Sequence, residues 1–284
     1  MIPQQFEYSA PKTLDEALGL LAEGAKPLAG GMSLIPMMKL RLAAPEHLVD
    51  LGRIKELSYI REQGGELHIG ATTTHHEVES SALVRGKCPL LAETASHIGD
   101  VQVRNMGTIG GSVAHADPAA DYPAALQALE AKIVLKGAKS ERTVSAGDFF
   151  VDTFTTALEP GEIVREVIVP IDGDGTGTNY QKVIQPASGF AIVGIAVRVR
   201  KSGDKVTMAR IGVTGLSNRA FRATEAEKAL EGRSGSPAEI QAVAALVGQG
   251  IDANSDLHAS ADYRLHLASV YAARALATAL GRIA

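Results

Sequence analysis

The chain has 284 residues, of which 45% are hydrophobic and 21% are charged, and its formal net charge is -4. This composition is typical of a globular protein with one large domain or two ordinary ones, and the negative charge argues against a nucleic-acid-binding surface. No apolar run reaches the ~18 residues that span a membrane. The first residues lack the basic start and apolar stretch of a signal peptide, so we expect a cytoplasmic protein without a transmembrane segment.

The first fifty residues predict a small α/β unit that runs strand, loop, helix, strand. Thr13 and Glu16 form a capping box at the start of a helix. The apolar stripe of that helix consists of Leu14, Ala17, Leu18 and Leu21. A short strand then enters the glycine pair of "LAGGMSLIPMMKLRL" (residues 28–42), and a second helix follows with Ser33 as its N-cap. "EHLVDL" predicts the closing strand.

The following residues, up to 177, predict a mixed unit of helices and strands. "GELHIGATTT" and "GEIVREVIVP" are predicted strands, "SALVRGKCPLLAETASHI" is helical around its proline, and "DYPAALQALEAKIVLKG" passes from helix to strand. Between them, "IGDVQVRNMGTIGGSVAHADPAAD" is so rich in glycine and polar residues that we predict a long loop. Such loops inside compact domains are usually functional.

A change in the pattern of predicted secondary-structure elements near residue 177 predicts a domain boundary. The glycine-rich "IDGDGTGTN" (residues 171–179) is the expected linker. Three strands follow in quick succession, the last two joined by a Ser-Gly-Asp turn, and three helices complete the chain. The sequence therefore predicts an α+β protein with domains at 1–177 and 178–284.

Two glycine pairs indicate a binding site for an anionic group. Gly30 and Gly31 follow a strand and precede a helix, an arrangement in which their amides and those of Met32 and Ser33 can bind an anion. A simple tight turn at each pair is the alternative. Neither G-x-G-x-x-G nor the P-loop pattern occurs, which disfavours the folds that carry them. Asp121 ends the second glycine-rich stretch and is either an acceptor for a sugar hydroxyl, the N-cap of the next helix, or both.

Cys88 is the only cysteine, which excludes an internal disulfide. An iron–sulfur cluster needs about four thiolates, so this chain cannot hold one alone. Because Cys88 precedes a proline in apolar surroundings, we predict a buried, structural thiol.

Several segments together resemble the FAD-binding medium subunit of the molybdenum hydroxylases, the family of carbon monoxide dehydrogenase medium subunits and the flavin domain of xanthine dehydrogenase. They are "AGGMSLIPMMKLRL", "IGATTT", "VRNMGTIGGSVAHADPAADYPAAL", "ERTVSAGDFFVDTFTTALEPGEIV", "SGFAIVGIAV" and "SADYRLHLASV". The resemblance implies a two-lobed FAD-binding domain of the vanillyl-alcohol-oxidase (PCMH) type, with a small α/β lobe at about 1–55 and a mixed α+β lobe at about 56–177. A C-terminal domain with a three-stranded antiparallel sheet and helices would follow.

The resemblance also implies the cofactor contacts. Two stretches, the first glycine segment (residues 29–33) and the second glycine segment (residues 108–112), would hold the FAD diphosphate between them. Ile98 would lie near the flavin, Asp121 near the sugar or ribityl chain, and Val164 and Lys182 on the other side of the cofactor. The complete set of predicted contacts is Leu28, Ala29, Gly30, Gly31, Met32, Ser33, Leu34, Ile35, Ile98, Thr108, Ile109, Gly110, Gly111, Ser112, Asp121, Val164 and Lys182.

No residue is predicted to act as a catalytic acid or base, and no metal ligand is predicted. His75, His76 and His115 fit surface or loop positions better than a covalent link to flavin. Gly189 stands where many relatives carry aspartate, and Phe190 stands where an aromatic residue approaches the flavin ring.

In the family, the substrate is hydroxylated at a molybdenum cofactor on a large subunit. Electrons pass through two [2Fe–2S] clusters on a small subunit to the FAD of the medium subunit and then to an external acceptor. The resemblance therefore implies an electron-transfer subunit of an oxidoreductase, in a dimer of heterotrimers. A free-standing FAD-dependent oxidase of the same fold and a non-enzymatic nucleotide-binding module remain as alternatives.

Overall fold

A small parallel sheet opens the computed structural model, which describes residues 2–283. Its strands are β1 (Glu7–Ser9), β2 (Lys26–Leu28) and β3 (His47–Asp50), in the order β1-β3-β2. Helix α1 (Leu14–Ala22) connects β1 to β2, and helix α2 (Leu34–Lys39) connects β2 to β3. These elements are the α/β unit that the first fifty residues predict.

Helix α1 buries its predicted apolar face, namely Leu14, Ala17, Leu18 and Leu21. The Thr13 hydroxyl accepts a hydrogen bond from the Glu16 amide at 3.3 Å, as the capping prediction requires. The Glu16 carboxylate, however, accepts from the Lys12 amide, so the reciprocal half of the capping box is not formed. Ser33 occupies the N-cap position of α2 without a side-chain capping bond.

An antiparallel sheet and a group of short helices form the next unit. The strands are β4 (Ile60–Gln63), β5 (Glu66–Gly70), β6 (Lys132–Lys136), β7 (Glu141–Ser145), β8 (Phe150–Asp152), β9 (Thr155–Thr156) and β10 (Ile163–Pro170). Strands β8 and β9 pair with each other, and the other five form one sheet in the order β4-β5-β10-β6-β7. The helices are α3 (His75–Ser80), α4 (Ala82–Lys87), α5 (Pro89–Ser96), α6 (Val101–Met106), α7 (Ile109–His115), α8 (Asp121–Ala128) and α9 (Ala146–Phe149).

The predicted long loop before residue 121 is wrong, because α6 and α7 occupy most of it. Each helix begins after a capping residue. The Asp100 carboxylate accepts a first-turn amide of α6 at 2.8 Å, and the Thr108 hydroxyl accepts the Gly111 amide of α7 at 3.1 Å. These caps help to offset the low helix propensity of the two glycines in α7.

The C-terminal part is built on a second antiparallel sheet. Its strands are β11 (Thr176–Ile184), β12 (Ala191–Ser202), β13 (Lys205–Thr214) and β14 (Phe221–Arg222), paired in that order. Ser202 pairs with Lys205 in the predicted hairpin. The sheet has four strands rather than the predicted three, because the two-residue β14 is too short to show an alternating pattern. The predicted helices are α10 (Thr224–Leu230), α11 (Pro237–Ala244) and α12 (Ala261–Gly281).

Helix α12 packs along the C-terminal sheet, against β11 and β12. Its apolar residues, including Leu267, Leu276 and Ala279, belong to the core of this part of the chain. Within residues 2–283, no helix combines the length and the apolar character needed to cross a membrane.

The C-terminal sheet packs directly on the helices of the N-terminal part. Gly212 of β13 faces α8 so closely that a Cβ atom there would overlap the Ala124 carbonyl oxygen. The Tyr180 amide of β11 donates to the Glu93 carboxylate of α5 at 3.0 Å. The Tyr180 side chain lies in the largest buried cluster of the N-terminal part. The interface is therefore tightly packed.

The Cys88 thiol is fully buried, as predicted. Burial raises its pKa to about 12, and only the thiolate is reactive. We therefore expect the native protein to react with an aromatic disulfide reagent at least about a hundredfold more slowly than the chain in guanidinium chloride. The release of the coloured thiol measures both rates, and prompt labelling of the native protein would contradict the assignment.

Candidate functional site

A cavity of about 1120 Å³ lies between the parallel sheet, helices α6 and α7, and the residues around 154–164. Pockets for drug-sized ligands have about 300–1,000 Å³, so this one can accommodate an extended ligand of dinucleotide size. Most of the predicted cofactor contacts line it. They are Leu28, Ala29, Gly30, Gly31, Met32, Ser33, Leu34, Ile98, Thr108, Gly110, Gly111, Ser112, Asp121 and Val164.

The first glycine segment presents a row of free backbone amides to this cavity. The amides at positions 30–34 have no hydrogen-bond acceptor among the described residues. Gly31 has a φ of +74°, a conformation that favours glycine. The Ser33 hydroxyl makes no capping bond and is likewise free. Consecutive unpaired amides in a concave segment bind anions, so this segment has the chemistry of a phosphate cradle.

The second glycine segment differs from the predicted loop, because its amides from residue 109 onward are bonded within the protein. The Ile109 amide donates to the Thr73 carbonyl at 3.0 Å, and the Gly110 amide donates to the Ala71 carbonyl at 2.9 Å. The Gly111 amide donates to the Thr108 hydroxyl. The segment is thus the first turn of α7 rather than an open loop with free amides.

The two glycine segments lie against each other. A Cβ atom on Gly111 would be 3.8 Å from the Cβ atom of Ala29 in the first segment. A Cβ atom on Gly30 would overlap the Met106 carbonyl oxygen and lie 2.8 Å from the Gly107 Cα atom. A glycine is therefore required at position 30, because two backbone segments are in contact there.

Three predicted contacts do not line the cavity. Ile109 is fully buried in the core, and the Ile35 side chain packs under Gly31, 2.9 Å from where a Cβ atom would be. The Lys182 side chain is 0% exposed and pairs with Asp121. These residues support the cavity wall from behind.

Asp121 is a buried carboxylate that is held by the C-terminal sheet. It accepts hydrogen bonds from the Tyr180 hydroxyl at 2.6 Å and from the Lys182 ammonium at 3.0 Å. Burial raises the pKa of the Asp121 carboxyl, and the positive charge of Lys182 opposes that rise. Ala120 is the N-cap of α8 and Asp121 is its first helical residue, so the predicted N-cap role is wrong.

Lys182 also reaches the neighbouring cavity wall. Its ammonium donates to the His97 carbonyl at 2.8 Å, directly before Ile98. On the same side, residues 188–190 line the cavity, and a Cβ atom on Gly189 would lie 3.4 Å from the Gly99 Cα atom. The C-terminal part therefore positions one end of the cavity, where Ile98 and Phe190 are placed.

Two histidines that the sequence interpretation placed at surface or loop positions belong to the cavity wall. His75 is 4% exposed, and its Nδ1 atom has no hydrogen-bond partner. The His115 ring packs against Phe154 with centroids 5.0 Å apart. A capping box between Thr74 and Glu77 fixes His75 in the first turn of α3. The sequence contains a sign of this position in "TTTHHE". A threonine followed three residues later by glutamate is typical of a helix start, which places His75 in the first turn.

The residues present fit an FAD molecule. The cavity has the size of a dinucleotide, the free amides at positions 30–34 match an anionic diphosphate, and His75 carries an unpartnered polar atom in the wall. The fold and the cavity together define a dinucleotide-binding flavoprotein.

Comparisons with known proteins identify the family. Residues 4–172 match the FAD binding domain in molybdopterin dehydrogenase, and residues 178–279 match the CO dehydrogenase flavoprotein C-terminal domain. The chain belongs to the family of FAD-binding medium subunits of the molybdenum hydroxylases. It is a flavoprotein subunit of a multi-subunit oxidoreductase.

The relatives are similar over their full length. The carbon monoxide dehydrogenase medium chain of Hydrogenophaga pseudoflava is 45% identical and the match covers 100% of both chains. The glyceraldehyde dehydrogenase medium chain of Sulfolobus acidocaldarius is 38% identical, over 97% of this chain and 98% of the relative.

Solved structures confirm the predicted α+β fold, in which the C-terminal sheet has four strands rather than three and α6 and α7 replace the predicted long loop. Carbon monoxide dehydrogenase from Hydrogenophaga pseudoflava, which lacks the Mo-pyranopterin moiety of its molybdenum cofactor, superposes with a TM-score of 0.97 at 46% identity, covering 100% of both chains. Quinoline 2-oxidoreductase from Pseudomonas putida 86 gives a TM-score of 0.94 at 33% identity, covering 99% of each chain.

Proposed function

We propose that this chain takes electrons from [2Fe–2S] clusters of a small partner subunit and passes them through its FAD to an external acceptor. The electrons originate at a molybdenum cofactor on a large subunit, and the three chains assemble as a dimer of heterotrimers. The flavin supplies the ability to accept electrons singly and release them in pairs. The protein supplies binding, orientation and electrostatics.

The observation that carries this proposal is the combination of a dinucleotide-sized cavity with a single, buried cysteine. Cys88 cannot serve as an exposed thiolate ligand, and a cluster needs about four such ligands. No group of three or more potential metal ligands occurs in the part of the chain that the structure describes. The iron centres must then be contributed by another polypeptide.

The residues of this chain bind and orient the cofactor. The free amides at positions 30–34 hold the diphosphate, with the Ser33 and Ser112 hydroxyls beside them. Ile98 and Phe190 bound the end of the cavity that would take the flavin ring, and Val164 lies in the wall formed by β10. Asp121 faces the cavity from the start of α8, and Lys182 keeps that carboxylate in position.

The substrate of the complex is selected by another chain. The full-length relatives include medium chains of a carbon monoxide dehydrogenase and a glyceraldehyde dehydrogenase, and a quinoline oxidoreductase shares the fold. These substrates have unrelated chemistry, whereas the flavoprotein changes little. If the flavoprotein only passes electrons to the acceptor in each complex, its similarity among complexes with unrelated substrates is explained.

Purification of the chain with and without its partners tests the proposal. Expressed alone, it is expected to bind about one FAD and no iron, because it lacks the thiolates for a cluster. Expressed with the neighbouring subunits, it is expected to co-elute with iron and molybdenum. Flavin absorbance and elemental analysis measure both. Substrate oxidation by the isolated chain would instead favour a free-standing FAD oxidase, and loss of flavin binding would favour a non-enzymatic module.

A further inference from the structure

The His75 imidazole lies where the two glycine segments meet. The His75 amide donates to the Gly107 carbonyl at 2.9 Å, and a Cβ atom on Gly107 would lie 2.6 Å from the His75 Nε2 atom. Gly107 also contacts Gly30 of the first glycine segment closely. All three residues line the cavity, so the imidazole lies in the cavity wall beside the contact between Gly30 and Gly107.

The imidazole is buried without any hydrogen-bond partner among residues 2–283. The residue is 4% exposed, its Nδ1 atom is unpartnered, and its ring packs on Tyr122 with centroids 5.3 Å apart. No hydrogen bond influences its titration, whereas burial and the nearby Arg104 lower its pKa to about 4. An unpartnered buried polar ring costs stability in the free protein. The fully buried unpartnered atom is Nδ1, whereas Nε2, which also has no partner among the described residues, lies beside Gly107 at the cavity wall and is the ring atom that a ligand could satisfy.

The neutral ring adds a donor beside the second glycine segment, most of whose backbone amides are already bonded. At pH 7 a neutral imidazole has one N–H donor and one acceptor nitrogen. The first segment faces the cavity with free amides, but the amides of residues 109–111 in the second segment are already bonded. A diphosphate between the two segments would therefore meet a row of free amides on one side, and on the other only the Thr108 amide and side-chain groups such as the Ser112 hydroxyl. The Nε2 position beside Gly107 adds a further donor on that second side.

We propose that His75 is a cofactor-binding residue whose Nε2–H donates a hydrogen bond to the FAD diphosphate, opposite the amides of the first glycine segment. The assignment rests on the proposed function, in which the diphosphate occupies this cradle. It implies that the ring carries its proton on Nε2 in the bound state.

Three variants of the full chain test the role of His75. His75→Leu removes both ring nitrogens, and His75→Gln restores an N–H near the position of Nε2. His76→Leu is the matched control, because His76 is the neighbouring residue and is exposed. The FAD dissociation constant of each apoprotein is measured by quenching of flavin fluorescence. The melting temperature of each apoprotein and the 31P spectrum of bound FAD are recorded in parallel.

The expected result is weaker FAD binding in His75→Leu by roughly tenfold to a hundredfold, which is the range for one hydrogen bond to a charged group. His75→Gln should recover part of the loss, and His76→Leu should bind as the wild type does. The apoprotein of His75→Leu should melt no lower than wild type, because an unsatisfied polar group has been removed. The diphosphate resonances should shift in His75→Leu and not in the control.

Two outcomes would overturn the inference. One is a dissociation constant for His75→Leu within about twofold of wild type, with unchanged diphosphate resonances. The other is a parallel fall in FAD affinity and apoprotein melting temperature in both His75 variants, which would mark a structural residue. Failure of the wild-type chain to bind FAD would instead contradict the proposed function itself.

Discussion

Replacement of Gly30 by alanine is expected to reduce the flavin content of the purified chain to below about a tenth of the wild-type value. The new Cβ atom would overlap the Met106 carbonyl oxygen and lie 2.8 Å from the Gly107 Cα atom. Both are backbone atoms that cannot rotate away, so the first glycine segment must shift. Its free amides would then no longer be positioned to bind the diphosphate. Overpacking of this kind costs about 1–3 kcal/mol of stability. The flavin-to-protein absorbance ratio and urea unfolding measure the two effects.

Gly19→Ala is the matched control for this substitution. Gly19 is an exposed residue inside α1 with no neighbouring atom within 4 Å of a Cβ position. Alanine there should leave the flavin content unchanged and raise the free energy of unfolding by up to about 1 kcal/mol, since glycine is a poor helix former. A fully flavinated Gly30→Ala protein would show that the contact of Gly30 with the backbone of residues 106–107 does not shape the binding site.

Replacement of Lys182 by methionine is expected to lower the free energy of unfolding by about 3–5 kcal/mol, as for other buried ion pairs broken on one side. The variant leaves Asp121, only 4% exposed, without its cationic partner. It also removes the bond to the His97 carbonyl, which links β11 to the end of α5. Chemical denaturation at several pH values measures the loss.

The loss should depend on pH in a definite direction. Without the ammonium, the strongest influence that opposes the burial-driven rise of the Asp121 pKa is lost, and mainly the hydrogen bond from the Tyr180 hydroxyl remains against it. A carboxyl group with a raised folded-state pKa stabilises the fold below its unfolded pKa, and this contribution is lost as the pH rises through the folded-state pKa. The deficit of Lys182→Met relative to wild type should therefore be larger at pH 8 than at pH 5.

Two further variants separate the ion pair from other effects of the substitution. The double variant Asp121→Asn, Lys182→Met should recover much of the lost stability, because no unpaired buried charge remains. Lys228→Met, which removes an exposed pair with Glu225, should change the free energy of unfolding by less than about 1 kcal/mol. Equal losses in the single and double variants would contradict a role for the ion pair.

Elements with strong local signals were predictable from the sequence. Helix α1 has a capping residue and a regular apolar stripe, and the β12–β13 hairpin has a short turn between alternating strands. Helices α6 and α7 were missed because both are short and lie in a glycine-rich stretch: α6 is flanked by Gly99 and Gly107, and α7 contains two glycines that disfavour helix locally. Their stability depends on caps and on contacts such as Gly110 against Ala71, which only the folded chain brings together.

The binding site was predictable as a set of segments but not as a set of atoms. The resemblance placed both glycine segments in one site, and the structure shows them in contact. The resemblance could not show that the amides from residue 109 onward are already bonded, or that the Lys182 side chain lies behind the cavity wall. His75 escaped prediction because its burial depends on the contact between α3 and the chain around Gly107, which are distant in sequence.

The contact between Gly212 and Ala124 limits how freely the halves of such subunits can be exchanged. A hybrid joined near residue 177 would bring together a sheet and a helix that evolved against different surfaces. Any side chain at position 212 would push that sheet off α8. Recombination at this point should therefore succeed only between parents that both lack a side chain there.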